Sequence, residues 1–297
     1  MRIVSLLPSA TEIICHLGLA DMLVGVSHDC DYPSDVVADL PRLTRSGIPE
    51  GMSSDEIDAV VTTRLRRGEG LCVLEGQDLA RLAPDLVITQ DLCDVGAVSF
   101  GDVCNLKGRL PGDAQIVSLG MPGLDDLFAD VMMIAEAVGM PERGTRLCEH
   151  MHMRLERIRS RVANRPRPGV VALEWFDPPF ASGHWTPALI ELAGGRELLG
   201  QRDGRPYRVS WEQIGDVGPE VLLLLPWGHS AAAARRSWAR LARPQLWYTI
   251  PALRNERVYA LDARSFSLRP SPRLLDSIEQ LADLLHPTGV AREGVSR

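Results

Sequence analysis

The sequence predicts an α/β protein of two lobes joined by one long helical segment. Three observations carry this reading. Short apolar runs of strand length alternate with helix-period segments in residues 1–123. The same alternation resumes in residues 166–297. Between them, residues 124–165 are helical in pattern almost throughout. The expected organisation is therefore an N-terminal α/β lobe (1–123), an interlobe helical segment (124–165) and a C-terminal α/β lobe (166–297). Alternating β and α elements favour largely parallel, doubly wound sheets.

The elements follow in order. Arg2–Leu7 reads as a buried strand, followed by a turn at Pro8 and a helix. Ser9 is the expected N-cap, with Glu12 three residues on at capping-box spacing, and Gly18 is the expected stop. Further strands are expected at Leu23–Val26, Leu71–Leu74, Asp85–Thr89 and Gln115–Leu119, with a helix at Ser53–Arg67 opened by a Ser53/Glu56 box. The segment Leu124–Asn164 is broken by Gly139-Met140-Pro141, and its second part is rich in arginine, which reads as a solvated helix face. The prolines of Arg165–Gly169 end it. Then come a strand at Val170–Glu174, a helix at Thr186–Gly194 with Thr186 as N-cap and Pro187 at its first position, a strand at Val221–Leu225, a helix at Ala231–Leu241, a strand at Arg257–Leu261 and a closing helix at Pro272–Leu285.

Composition narrows the function. The 297 residues carry a net charge of −7, which argues against a general nucleic-acid or anionic-membrane binder. No apolar run reaches the length of a membrane span. The six cysteines (15, 30, 72, 93, 104 and 148) form no C-x-x-C pair, so reduced thiols in a cytosolic protein are expected. A first strand beginning at residue 2 leaves no room for a signal peptide. The expected compartment is cytoplasmic, or periplasmic or cell-surface if the true start lies upstream. There is no Walker A motif, dinucleotide glycine fingerprint, G-x-S-x-G or H-E-x-x-H. An enzyme is not expected.

Ligands of open α/β sheets bind beyond the carboxyl ends of the strands. The loops there are Pro8–Ser9, Ser27–Pro33, Thr89–Ser99, Glu174–Trp185, Pro226–Ser230 and Asp262–Phe266. They gather His28, Cys30, Tyr32, Cys93, Trp175, Phe180, His184, Trp185, Trp227, His229 and Phe266, the side chains that suit a large planar ligand. Several have two readings. Tyr32 before Pro33 fits a turn residue packed on the first helix or a ligand contact. Trp175 and Phe180, flanking Asp177-Pro178-Pro179, fit core or ligand contact. His184, between Gly183 and Trp185, fits a metal ligand or hydrogen-bond donor. Cys30 and Cys93 are either two small buried residues or soft metal ligands that join His184.

The segments RIVSLLPSATEI, VGVSHDCDYP, LAPDLVIT, LEWFDPPFASGHW, ELAGG, SWEQI, PEVLLL and RVYALD occur in this order over nearly the whole chain. In them the sequence resembles the substrate-binding proteins of ABC importers for cobalamin and ferric siderophores, and the vitamin B12-binding branch most. The resemblance implies two Rossmann-like lobes with central β-sheets, a single long backbone helix and a ligand cleft between the lobes. It implies a non-enzymatic, monomeric binding protein that takes a corrinoid and requires no cofactor. On this resemblance Tyr32 matches a cleft tyrosine, Phe180 or its neighbours a cleft aromatic, and Tyr207 falls close to a cleft tryptophan. Pro8, Ser9, Trp175, His184, Trp185, Trp227 and Phe266 complete the expected ligand contacts. Docking to an ABC permease would use Glu212 in the second lobe, while the matching first-lobe position is Gln77, with Glu75 and Asp78 nearby. The alternative is an intracellular metal- or haem-binding or sensing protein that uses Cys30, Cys93 and His184.

Overall fold

A computed structural model describes residues 1–48, 60, 63–64, 67, 70–90, 103–104, 113–120, 124–242, 245–266 and 269–287. Most of the expected helix Ser53–Arg67 and most of the loop Thr89–Ser99, including Cys93, lie outside the described residues. The chain divides into two compact units, residues 1–121 with 125–149, and residues 122–124 with 150–297.

The first unit is built on a parallel sheet in the order β2-β1-β5-β6, with β1 at Ile3–Ser5, β2 at Leu23–Val26, β5 at Leu86–Gln90 and β6 at Gln115–Leu119. β1 and β5 are buried along their whole length, as central parallel strands are, which explains their unbroken apolar runs. β3 (Thr44–Ser46) and β4 (Cys72–Leu74) form a separate antiparallel ribbon. The core is aliphatic, drawing on Val4, Leu6, Leu43, Leu79 and Val87.

The helix after β1 runs Pro8–His16 and corrects one expectation. Ser9 is not its cap: Leu7 holds that place without a side-chain bond, and Pro8 opens the helix. Ser9 and Glu12 are buried instead. The polar link across this turn is Thr11, whose hydroxyl donates to Ser5 Oγ at 2.8 Å, while Ser5 Oγ donates to the Leu7 carbonyl at 2.9 Å. At the other end Gly18 has φ +72°, and Arg143 donates to the Leu17 and Gly18 carbonyls at 2.9 Å each, which satisfies two terminal acceptors.

Two helices follow β6, at Leu124–Ala137 and Pro141–Val162. The arginines of the second are not merely solvated. Arg154 pairs with Asp276 (2.6 Å) and Glu279 (2.9 Å), and Arg161 with Asp283 (3.0 Å), so this face docks on the closing helix Leu274–Leu285.

The second unit has a mixed sheet in the order β10-β8-β7-β11-β12, with β9 also pairing β7. The strands are β7 (Gly169–Phe176), β8 (Pro179–Ala181), β9 (Arg196–Glu197), β10 (Tyr207–Arg208), β11 (Val221–Leu224) and β12 (Val258–Ala260). β7, β11 and β12 are parallel, while β8 folds back antiparallel on β7. The core includes three indoles. Trp238 and Trp247 stack at 4.7 Å between centroids, and Trp211 meets Trp247 at 4.6 Å. Trp211 opens the helix Trp211–Val217, which Ser210 caps in a complete capping box with Gln213.

Candidate functional site

In the second unit, parallel pairing aligns the carboxyl ends of β7 and β11, with Leu173 opposite Leu224. Trp175 and Trp227 both lie just beyond that line, and the Trp227 backbone N–H donates to the Glu174 carbonyl at 3.2 Å. Trp175 is half-buried and stands opposite Phe180 in the β7–β8 register, so the two side chains leave the same face of the sheet. The His229 ring meets Trp175 edge-on at 6.0 Å and 75°, and its Nδ1 is hydrogen-bonded to the Trp227 carbonyl at 2.8 Å. Trp227 itself is 44% exposed, which is unusual for an indole and gives the cluster a solvent-facing ring. Together these residues form a partly exposed aromatic surface with an oriented imidazole at one edge.

Beneath it, Glu174 is buried, and its Oε1 accepts from the Gly183 N–H (3.2 Å) and the Thr186 hydroxyl (3.5 Å). Burial, helped by the charge of Glu197, pushes its carboxyl up to about 7. These bonds tie the Gly183–Thr186 turn to β7. Thr186 is therefore not the cap of its helix, Thr186–Leu192: Trp185 occupies the N-cap, and the Thr186 hydroxyl serves Glu174. Two residues before Thr186 the turn places His184 at φ +53°, with its N–H donating to the Gly204 carbonyl at 2.6 Å. Gly183 is required here, since a Cβ would sit 2.5 Å from Pro206 N. The His184 imidazole is half-buried, and burial followed by the Arg205 charge holds its pKa below the usual value, which favours the neutral ring.

Other expected contacts are placed differently. Trp185 and Phe266 are core side chains, and the Trp185 indole N–H donates to the Phe266 carbonyl at 3.2 Å. Tyr207 is half-buried against the core, with its hydroxyl donating to the Leu199 carbonyl at 2.7 Å. Burial works against ionisation of Asp262, but hydrogen bonds from Arg264 outweigh it and hold its carboxyl below the usual range.

In the first unit, the loop after β2 carries His28, Asp29, Cys30 and Tyr32. Arg42 clamps it by donating to the carbonyls of Ser27, Cys30 and Val37. Tyr32 is 39% exposed, Pro8 half-buried and Ser9 buried. Cys30 is the first of the three expected metal ligands. Its thiol is buried with Val26 and Val37 and lies 3.2 Å from Thr11 Oγ1, while His184 belongs to the other unit and Cys93 lies outside the described residues. Among the described residues, the potential ligand atoms brought within 4.8 Å of one another are those of His28, Asp29 and Cys72. Cys72 lies 44 positions from His28 on another element, and only the β3–β4 ribbon brings the two together. His229 was legible only as one loop residue among several.

Three comparisons bear on this geometry. The "Vitamin B12-binding protein" of Vibrio cholerae is 25% identical over 296 residues, which cover 96% of this chain and 88% of that protein. The crystal structure of the periplasmic vitamin B12-binding protein of Vibrio cholerae has a TM-score of 0.67 at 24% identity, covering 96% of each chain. A periplasmic haem-binding protein from Pseudomonas aeruginosa has a TM-score of 0.73 at 20% identity, covering 97% of this chain and 93% of that one. These relatives are binding proteins rather than enzymes. The structures are periplasmic, so the expected cytoplasmic location finds no support among them. Among the described residues, no helix is long and apolar enough to cross a membrane. The match to the periplasmic binding protein family runs over residues 3–265, and this chain belongs to that family.

Proposed function

We propose that this chain is the substrate-binding component of an ABC-type uptake system and that its ligand is a corrinoid of the cobalamin type. The observation that carries this reading is the cluster of Trp175, Phe180, Trp227 and His229 at the carboxyl edge of the second sheet. Partly exposed rings offer flat apolar area to a macrocycle, and an imidazole is a competent ligand for cobalt. Removing about 400 Å² of apolar surface from water at about 25 cal/mol per Å² supplies roughly 10 kcal/mol gross, against which the freedom lost on association must be set. In the first unit, Tyr32 is an exposed aromatic of the loop after β2. The named relatives of cobalamin specificity support the choice of ligand.

Delivery to a permease would use Glu212. It is exposed in the first turn of its helix, and N–H and hydroxyl donors from its own turn and Ser210 hold its carboxyl below the usual range. It is therefore a fixed negative charge, suited to an arginine of the transporter. Such a component works on the outer side of the cytoplasmic membrane.

Titration with aquacobalamin tests the ligand. The expected result is a shift of the corrinoid visible spectrum together with quenched tryptophan emission. Trp175→Ala and Trp227→Ala should each weaken binding by roughly 30-fold, the loss expected of a central aromatic anchor. The reading is overturned if high-micromolar aquacobalamin changes neither signal, and saturable binding of hemin in its place would transfer the site to haem.

A further inference from the structure

We propose that His28 Nε2, a carboxylate oxygen of Asp29 and Cys72 Sγ form a three-ligand site for a divalent transition ion, Zn²⁺ or Co²⁺, with the fourth position open to solvent. The proposal rests on first-unit residues alone, so it stands or falls apart from the corrinoid reading.

The donor set is the first argument. An imidazole, a thiolate and a carboxylate are the three ligand types that borderline-soft divalent ions combine, and three protein ligands plus water is the arrangement of open zinc sites. Spacing is the second. The three ligand atoms lie within 4.8 Å of one another, and His28 Nε2 is 3.6 Å from Asp29 Oδ2. Ligand–metal bonds of about 2.0–2.3 Å at tetrahedral angles need donors roughly 3.3–3.8 Å apart, so small rotations of the side chains close the site.

Orientation is the third argument. Thr44 Oγ1 accepts the His28 backbone N–H at 2.9 Å and lies 2.7 Å from His28 Nδ1. In the tautomer with the proton on Nδ1, that proton serves Thr44 and the Nε2 lone pair, 3.6 Å from Asp29 Oδ2, is left for an ion. This is the outer-sphere arrangement that orients metal-binding histidines. The ribbon supplies the thiol. Thr44 pairs with Leu74 and Ser46 with Cys72, so the two-residue period sets Thr44 and Cys72 on one face, where His28 meets both. The His28 and Asp29 side chains are 24% and 51% exposed, which leaves a path for an ion and a solvent ligand. On binding, the Cys72 thiol releases its proton to solvent and the metal–sulfur bond takes its place.

The test is Co²⁺ titration of the full chain after dialysis against a chelator, without corrinoid. One equivalent should bind and raise a near-ultraviolet thiolate-to-cobalt charge-transfer absorption. Cys72→Ser should abolish that absorption. Asp29→Asn, which alters an exposed side chain and leaves the core untouched, should weaken binding by at least the roughly 10–100-fold that loss of an outer partner costs, and Thr44→Val should fall within that range. Cys148→Ala should change neither affinity nor spectrum. The proposal is overturned if no charge-transfer absorption develops, if it survives in Cys72→Ser, or if Asp29→Asn binds Co²⁺ as tightly as the parent.

Discussion

Residues 1–149 carry all six cysteines and residues 150–297 all six tryptophans. The division matters because it follows the two compact units. The first unit packs an aliphatic core and holds the cysteines together with His16 and His28. The second packs Trp211, Trp238 and Trp247 together, buries Trp185 apart from them and leaves Trp227 half in solvent. One unit thus concentrates the sulfur and the other the indole area. The asymmetry also makes each half separately observable. Tryptophan emission reports the second unit, and thiol labelling reports the first.

The largest effect is expected from Trp247→Ala. The ring is 4% exposed and touches both Trp211 and Trp238, so its removal should destabilise the second unit by about 3–5 kcal/mol. The urea midpoint read by tryptophan emission should fall, while labelling of the half-buried Cys148 keeps the parent midpoint. Equal falls in both signals would show one cooperative unit and break the comparison.

A smaller effect is a pH dependence in the second unit. The Glu174 carboxyl titrates at about 7 in the folded chain, against 4.5 for an ordinary glutamate. The folded state therefore holds an extra proton between these values. Its stabilising contribution is complete below about 4.5 and is lost as the pH rises to 7, amounting to up to about 3 kcal/mol. In Glu174→Gln the emission-detected stability should lose this decline and exceed the parent at pH 8. Parallel pH profiles in parent and variant would remove Glu174 as the source.

The smallest effect belongs to the helix caps. Ser210 Oγ accepts the Gln213 N–H at 3.2 Å, and Gln213 Oε1 accepts the Ser210 N–H at 2.8 Å. Ser210→Ala should lower the emission midpoint by about 1 kcal/mol. The helix Pro8–His16 has no side-chain cap to lose. A Ser210→Ala midpoint within error of the parent would erase this difference between the units.

The strands were legible because burial leaves a strong local mark. Leu23–Val26 and Gln115–Leu119 match the observed β2 and β6 at both ends, since an apolar run of strand length between turn residues has few other uses. Caps were less legible. Ser9 and Glu12 have capping-box spacing, yet the chain buries both because the helix starts at Pro8, two residues earlier than a Ser9 cap requires. The same spacing at Ser210 and Gln213 does form a box, so spacing alone does not separate the two outcomes. The arginines of Pro141–Val162 look solvated in sequence, because their partners Asp276, Glu279 and Asp283 lie more than a hundred residues away.

By itself the sequence determined the α/β class, the order of the elements and the family. These depend on periodicity and on motifs within a few residues of each other. Only the tertiary structure decided which of the chemically suited side chains are available. It buried Trp185, Phe266 and Cys30, exposed Trp227, set His229 against Trp175 and brought Cys72 to His28 through the β3–β4 ribbon. The reason is physical: an apolar or soft side chain lowers its free energy equally well in a core or against a ligand, and long-range packing chooses between the two.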